Sequence, residues 1–327
     1  MATVLVTGGA GYVGSHACKA LAAAGHVPVV YDNLSTGWRA AVRFGPFVEG
    51  DLRDGDALAT AFADHRPDAV LHFAALSTVG ESAQFPDVYW SNNIGGSASL
   101  FQAARIAGVD AIVFSSTCAI FGDADGDVLT EDSPKAPLSV YGRNKLVVEE
   151  MLADQEAAFG TRSVAFRYFN AAGADPDGEI GEDHRPETHL IPIALDAALG
   201  DRPNVTVFGR DYATSDGTCI RDYVHVMDLA EAHVRGVEWL LEGGRSLALN
   251  LGSGQGHSVQ KVLETAQQVT GHTISIVEGD RREGDAMRLV SGSVQAQEIL
   301  GWQPRRVRLD ETIADAWRWH RSGRYGP

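Results

Sequence analysis

Short apolar, β-branched runs alternate with longer amphipathic stretches through the first half of the chain. Residues 3–7, 28–31, 69–73, 111–115 and 163–169 are such runs, bounded by Gly, Asp or Ser, and read as buried strands. The stretches near 12–24, 57–63, 88–107 and 141–159 read as helices. Alternation of this kind predicts an α/β fold, a doubly wound parallel sheet of Rossmann type with helices on both faces. Beyond residue 170 the texture changes, with Gly, Pro and Asp clustering over 171–187 and 209–217. A helix at 226–241 and a strand at 247–251 return to the first unit. The expected division is a dinucleotide-binding domain over 1–175, joined by 226–253, and a smaller C-terminal lobe from 176–225 and 254–327. Ligands of parallel sheets sit at the carboxyl ends of the strands, where these loops fall.

Composition narrows the function. The 27 basic residues are outnumbered by 43 acidic ones, for a net charge of −16. Such a surface does not suit nucleic acid or an anionic membrane. An anionic ligand would have to be held locally, by a few placed arginines and backbone amides. No apolar run approaches the roughly 20 residues needed to span a bilayer, so no membrane span is expected. The N-terminus runs straight into the first strand without a basic leader, and three scattered cysteines (Cys18, Cys118, Cys219) fit a reducing compartment; a cytoplasmic location is expected. The cysteines form no CxxC or Cys/His ligand pattern, and no metal is expected.

Gly8, Gly11 and Gly14 follow the first strand and open the first helix, in the run Gly8-Gly9-Ala10-Gly11-Tyr12-Val13-Gly14. A tight turn there lets backbone amides reach a pyrophosphate at a helix N-terminus. Asp32, closing the second strand, is a carboxylate placed to accept two ribose hydroxyls. Its charge repels a 2′-phosphate, which favours NAD over NADP. A glycine trio alone is weak evidence, and Asp32 could simply form a turn; the strand, loop and helix context strengthens both.

Tyr141 and Lys145 stand four residues apart at the start of a helical stretch, on one face. A free phenol, with a pKa of about 10, is a poor base. A neighbouring ammonium and a cationic nicotinamide would favour the phenolate. Four of the 27 basic residues are lysine, and lysine, unlike arginine, can be tuned in this way. The bland alternative is an exposed helix lysine beside a packing tyrosine. The preceding strand ends in Ser115-Ser116-Thr117, whose hydroxyls could donate to a substrate oxygen.

At this point the chain resembles the extended short-chain dehydrogenase/reductase superfamily, and within it the UDP-glucose (UDP-galactose) 4-epimerase family. The resemblance runs over nearly the whole chain. It rests on the glycine loop, Asp32-Asn33-Leu34, Gly50-Asp51-Leu52, His72-Phe73-Ala74-Ala75, the Tyr141–Lys145 stretch, Arg167-Tyr168-Phe169-Asn170, His189-Leu190-Ile191-Pro192, Arg221-Asp222-Tyr223 and Arg281-Arg282-Glu283-Gly284-Asp285. It implies that Gly8, Gly11, Tyr12, Val13 and Gly14 wrap the NAD pyrophosphate, Asp32 and Asn33 hold the adenosine ribose, and Asp51 and Leu52 hold the adenine. Phe73, Ala74, Ala75, Asn93, Lys145 and Tyr168 would line the nicotinamide half. For a UDP-hexose, it implies Asn170, Leu190, Val207 and Phe208 around the nucleotide, Arg221 and Arg282 on the phosphates, Asp285 on the uridine ribose, and Leu289 near the sugar. Tyr141, Lys145 and Thr117 would be catalytic: hydride leaves sugar C4, the 4-keto sugar turns over, and hydride returns to its other face.

The resemblance also has departures. Ser77 stands where many relatives carry a lysine, Val140 replaces a proline, and Phe121 a tyrosine. Leu289 replaces a residue that is bulky or small in relatives and governs admission of N-acetylated sugars, so UDP-N-acetylhexosamine and UDP-xylose/arabinose stay open as substrates. A 4,6-dehydratase would want an acid after Thr117, where Cys118 and Ala119 stand. A non-catalytic NAD sensor would not need Tyr141 and Lys145. By resemblance, the helices near 88–107 and 141–159 would pair in a homodimer.

Overall fold

The computed structural model describes residues 1–122, 128–282, 285–292, 294–322 and 324–326. Glu283 and Gly284, two of the residues on which the resemblance rests, lie outside the described residues. The principal sheet comprises β1 (Thr3–Thr7), β2 (Val27–Asp32), β3 (Phe47–Glu49), β4 (Ala69–His72), β5 (Ala111–Thr117), β6 (Arg162–Tyr168) and β7 (Leu247–Leu251). Its order is β7-β6-β5-β4-β1-β2-β3, with every pairing parallel. The chain reverses its direction of winding between β1 and β4, and such a switch point opens a crevice at the carboxyl ends of the two strands.

Helices α1 (Tyr12–Ala23), α2 (Gly55–His65), α3 (Gly96–Ala107), α4 (Val140–Phe159) and α5 (Val226–Leu241) cover the sheet. Alternation along the strands divides the core. Val4 and Val6 join Leu21, Leu71, Val113 and Leu229 on one face, while Leu5 joins Leu58, Val70, Leu100, Phe114 and Leu152 on the other. Both faces are apolar and covered, which is why the central strands read as unbroken hydrophobic runs. Helix α5 lies against α1, and β7 extends the sheet beside β6.

Two elements differ from the sequence reading. The stretch expected as one helix at 88–107 consists of a short turn at Pro86–Tyr89, a π-helical segment at Trp90–Gly95 and α3. A π-helical segment adds a residue to its turn but leaves the chain helical on both sides, so a reading of the sequence runs straight through it. The edge strand β3 is three partly exposed residues, too short for an alternation signal.

The remaining residues build a lobe with a core of its own, including Ile191, Leu195, Val205, Tyr223, Val262, Leu263 and Ile313. One small sheet joins Asn170–Ala172, Ile220–His225, Gly256–Ser258 and Arg288–Leu289, and another pairs Val205–Phe208 with Ile276–Gly279. Asn170 follows β6 closely, so the sheet with Ile220–His225 begins where the large sheet ends. This places the lobe over the carboxyl ends of the strands.

Candidate active site

The glycine loop is built for close approach. Gly8 has φ +71°, and a Cβ there would lie 2.5 Å from the Ala74 backbone nitrogen. A Cβ on Gly14 would lie 2.2 Å from the Gly8 carbonyl oxygen, so α1 can start beside the turn only without a side chain. Gly11 caps α1 with extended backbone and no side-chain hydrogen bond, leaving the first amides of the helix for a ligand. A backbone cradle at the positive end of a helix, filled by any side chain, fits a dinucleotide pyrophosphate. Tyr12 turns away from this cradle: its hydroxyl donates to the Gly173 carbonyl at 2.7 Å, tying α1 to the lobe.

Asp32 is buried at the end of β2, accepting from the Ala10 amide at 3.0 Å and the Leu34 amide at 2.8 Å. Burial raises its carboxyl pKa, opposed by these two hydrogen bonds. Each oxygen keeps a lone pair for a hydroxyl. Asn33 donates to Asp51 at 3.0 Å, and Arg53 also grips Asp51, at 2.6 Å. These contacts hold the Asp51 carboxyl well below its usual range, with the Arg53 hydrogen bond foremost. The side chains of Asn33 and Asp51 therefore hold each other, and Leu52 is buried beside them.

In the order β2-β1-β4-β5, the end of β5 lies two strand spacings, about 10 Å, from the glycine loop. Here Ser139 starts α4, its hydroxyl accepting from the Gly142 amide at 3.0 Å. That N-cap puts Tyr141 in the first turn and Lys145 in the next. The Lys145 ammonium is buried, donates to the Ser115 carbonyl at 2.7 Å and stands 5.9 Å from the Tyr141 ring centroid. The hydroxyl of Thr117, at the end of β5, lies beside the Tyr141 phenol and lowers its pKa against the rise caused by burial. The Ser115 hydroxyl pairs with that of Tyr168 on β6. Thus Thr117, Tyr141, Lys145 and Tyr168, named from sequence, share one corner, which Ser115 joins.

The electrostatics of that corner divide the work between lysine and cofactor. Burial raises the Tyr141 phenol above its ordinary range, opposed by the Thr117 hydrogen bond, and Lys145 does not reverse this. Burial also lowers Lys145 to about 7. The ammonium is turned to the Ser115 carbonyl, so a second positive charge near Tyr141 is needed to favour the phenolate. A nicotinamide cation would supply it.

Phe73, Ala74 and Ala75 follow β4 and are partly buried at the crevice. Asn93 is spent on structure: it accepts from the Leu76 amide at 2.9 Å and donates to the Leu76 carbonyl at 3.0 Å, shaping the loop after β4. Its neighbour Ser97 bonds His72, which bridges to Thr7 on β1 at 2.8 Å; burial lowers His72 to about 3 and keeps it neutral. Ser77 is exposed.

In the lobe, Arg221 pairs with Asp285, which also accepts from the Tyr212 hydroxyl at 3.0 Å. The exposed Arg282 lies with its guanidinium 3.9 Å from the Phe208 ring centroid. Phe208 is 36% exposed, whereas Val207 faces the lobe core and could offer only its backbone. Leu190 opens the helix Leu190–Leu199, and Asn170 opens the strand after β6. Leu289 pairs in register with Arg221 and packs against the cluster of Cys118, Phe121 and Phe169, beside Thr117. Leu289 thereby links the arginine side of the site to the tyrosine corner.

Three contributors escape a sequence reading. Ser115 acts through its carbonyl, which no residue type signals. Tyr212 lies in a loop between glycines, with Arg281 4.0 Å from its ring centroid. Asp222 is fully buried and takes backbone amides from Ser253, Gly254 and Ser291, holding β7's trailing loop to the small sheet. Its place between Arg221 and Tyr223 was the available hint.

A glycine cradle at the sheet's switch point, an acid closing β2 and a Tyr–Lys pair beyond β5 define a nucleotide-dependent short-chain reductase-type enzyme fold. The chain belongs to the NAD dependent epimerase/dehydratase family, whose family model matches residues 4–252. It is 52% identical over 318 residues to a UDP-glucose 4-epimerase of Rhizobium leguminosarum bv. trifolii, covering 97% of each chain. The solved UDP-glucose 4-epimerase of Brucella ovis in complex with NAD superposes with a TM-score of 0.95 at 48% identity, covering 97% of this chain and 99% of that one. A Stenotrophomonas maltophila UDP-glucose-4-epimerase with bound NAD and formylated UDP-arabinopyranose gives 0.95 at 41% identity, covering 98% of both.

Proposed function

We propose that the protein interconverts UDP-glucose and UDP-galactose, using NAD that it retains through the cycle. The observation carrying this reading is the corner where Thr117, Tyr141 and Lys145 meet at the end of β5, two strands along the sheet from the glycine cradle. NAD, when bound, accepts a hydride from the sugar's C4 and gives it back. Val13 and Gly14 would offer backbone amides to its pyrophosphate, Gly8 and Gly11 the close approach that a side chain would block, and Asp32 its carboxylate to the adenosine ribose, with Phe73, Ala74 and Ala75 beside the other half. Tyr141 takes the proton from the C4 hydroxyl, and Thr117 steadies that oxygen by hydrogen bonding. Lys145 holds positive charge beside the phenolate. Arg221 and Arg282 release their present contacts to meet the two phosphates, so that Asp285 becomes free for the uridine ribose. With the UDP end held, the flat 4-keto sugar can turn and present its other face; positioning supplies the rest of the rate.

Cys118 and Ala119 follow Thr117, so the site lacks the acid that a 4,6-elimination would use. UDP-N-acetylhexosamine or UDP-pentose epimerisation is a second reading, favoured only by Leu289, which is intermediate in size. Exposed Ile106 and Phe159 on α3 and α4, with Val88 and Trp90 just before α3, support a homodimer through these helices. Light scattering that finds only monomer would exclude it. Among the described residues, no helix is long and apolar enough to cross a membrane.

The test is incubation of purified protein with UDP-galactose, without added NAD, followed by chromatography. UDP-glucose should form, and Tyr141→Phe should cut the rate roughly 10²–10⁴-fold, the usual contribution of general base catalysis. A 4-keto-6-deoxy product would overturn the reading.

A further inference from the structure

Outside the site described above, Glu182, His184, Glu187 and His189 bring four ligand atoms within 4.8 Å of one another. They lie on one loop in the pattern E-x-H-x-x-E-x-H, leading into the helix Leu190–Leu199. Both carboxylates are buried, with side-chain exposures of 4% for Glu182 and 8% for Glu187. Nδ1 of His184 lies 3.1 Å from Glu182 Oε1 and 3.9 Å from Glu187 Oε2. Nδ1 of His189 lies 2.5 Å from Glu182 Oε1 and 3.6 Å from Glu187 Oε1.

We propose that these four side chains form a binding site for a zinc-class divalent cation. A tetrahedral ion with bonds of about 2.0–2.1 Å separates its ligand atoms by about 3.4 Å. The separations from Glu182 Oε1 fall below that value and those from the two Glu187 oxygens above it, so a modest closure of the loop would set one oxygen of each around an ion. Two imidazole nitrogens with two carboxylate oxygens are a borderline donor set that suits zinc better than magnesium or calcium. The supporting shell is in place. The Glu187 carboxylate is aimed by the Thr188 amide at 2.7 Å and the His189 amide at 2.8 Å. The loop is pinned at its start, where the Glu182 carbonyl accepts from the Trp319 indole at 2.9 Å and the Asp183 carbonyl from the Trp38 indole at 2.7 Å. A preorganised loop loses little freedom when it closes on an ion.

Two carboxylate side chains face two imidazoles across the centre of the cluster, and a dication there would take the place of the protons that now join them. The cysteine spacing, which argued against a metal, is silent on this loop. The ion would brace the junction between α1 and the lobe, since the His184 ring meets the Tyr12 ring edge-on at 6.2 Å. This inference does not depend on which sugar nucleotide the enzyme takes.

Its test uses the full-length protein, stripped with a chelator and titrated with Zn²⁺ alone. Calorimetry and elemental analysis should find one equivalent per chain, with protons released and the melting temperature raised. His184→Gln and His189→Gln should each lose that equivalent, while melting without metal shows whether they fold. The visible spectrum of Co²⁺-loaded wild-type protein reports the ligands without any variant: a four-coordinate pattern lacking thiolate charge transfer is expected. No stoichiometric binding to wild-type protein, an undiminished equivalent in both variants, or a thiolate band from Cys18, Cys118 or Cys219 would each overturn the proposal.

Discussion

Replacing Lys145 with methionine separates charge from packing at the tyrosine corner. The ammonium lies 5.9 Å from the Tyr141 ring centroid. At an effective dielectric of about 20, a unit charge at that distance stabilises a phenolate by about 3 kcal/mol; at the dielectric of water the figure falls to about 0.7 kcal/mol. The site is buried, so the larger value applies, and it corresponds to about two pH units in the phenol's titration. Tyrosinate in turn favours the ammonium, so the two groups titrate as a pair. Lys145→Met should therefore lower kcat about a hundredfold at neutral pH and move the acidic limb of the kcat profile upward by about two pH units. Stability should not fall in proportion, because a charge that burial disfavours is replaced by an apolar chain of similar length. The assay is a pH series of epimerisation rates, with thermal melting of both proteins. Full activity with an unmoved profile would refute the electrostatic role of Lys145. A rate loss matched by collapse of the melting temperature would refute its separation from packing.

Gly14→Ala places a Cβ against the Gly8 carbonyl, so the purified variant should carry far less dinucleotide, measured by releasing the cofactor with acid and quantifying it; undiminished cofactor would show that the loop yields. Acid should also loosen the fold through three buried neutral histidines, which burial lowers to about 4 (His16), 3 (His72) and 4 (His233). Because the folded values lie below the unfolded one near 6.5, this contribution is intact above that pH and is lost as pH falls toward the folded values, by about 2 kcal/mol per histidine at pH 5. Denaturant melts at pH 7 and pH 5 would detect it, and a His72→Gln variant should lose part of the dependence.

The parts of the fold visible in the sequence are those whose physics is local. Val4-Leu5-Val6 and Ala69–His72 are buried on both faces and so read as continuous apolar runs. The glycine loop is legible because a tight turn and a close helix start admit no side chains. Tyr141 and Lys145 are legible because one helix sets their spacing. What escaped depends on contacts between distant segments. The lobe's strands are short, and they pair across long separations such as Arg221 with Leu289. The bonds of Asn93 to the Leu76 backbone, which shape the loop after β4, leave no mark in the sequence. Arg221 and Asp285 read as separate ligand contacts, yet here they neutralise one another. Spacing also carries the ammonium's nearness to Tyr141 but not the cost of burying the phenol, which raises it in the protein alone.

The central claim is that hydrogen leaves C4 as hydride and returns to the same carbon within one closed site. UDP-galactose deuterated at C4, turned over to equilibrium in ordinary water, tests it directly. The account predicts UDP-glucose with its deuterium retained at C4 and no label in solvent. Loss of the label to water, or its appearance at C6, would contradict it.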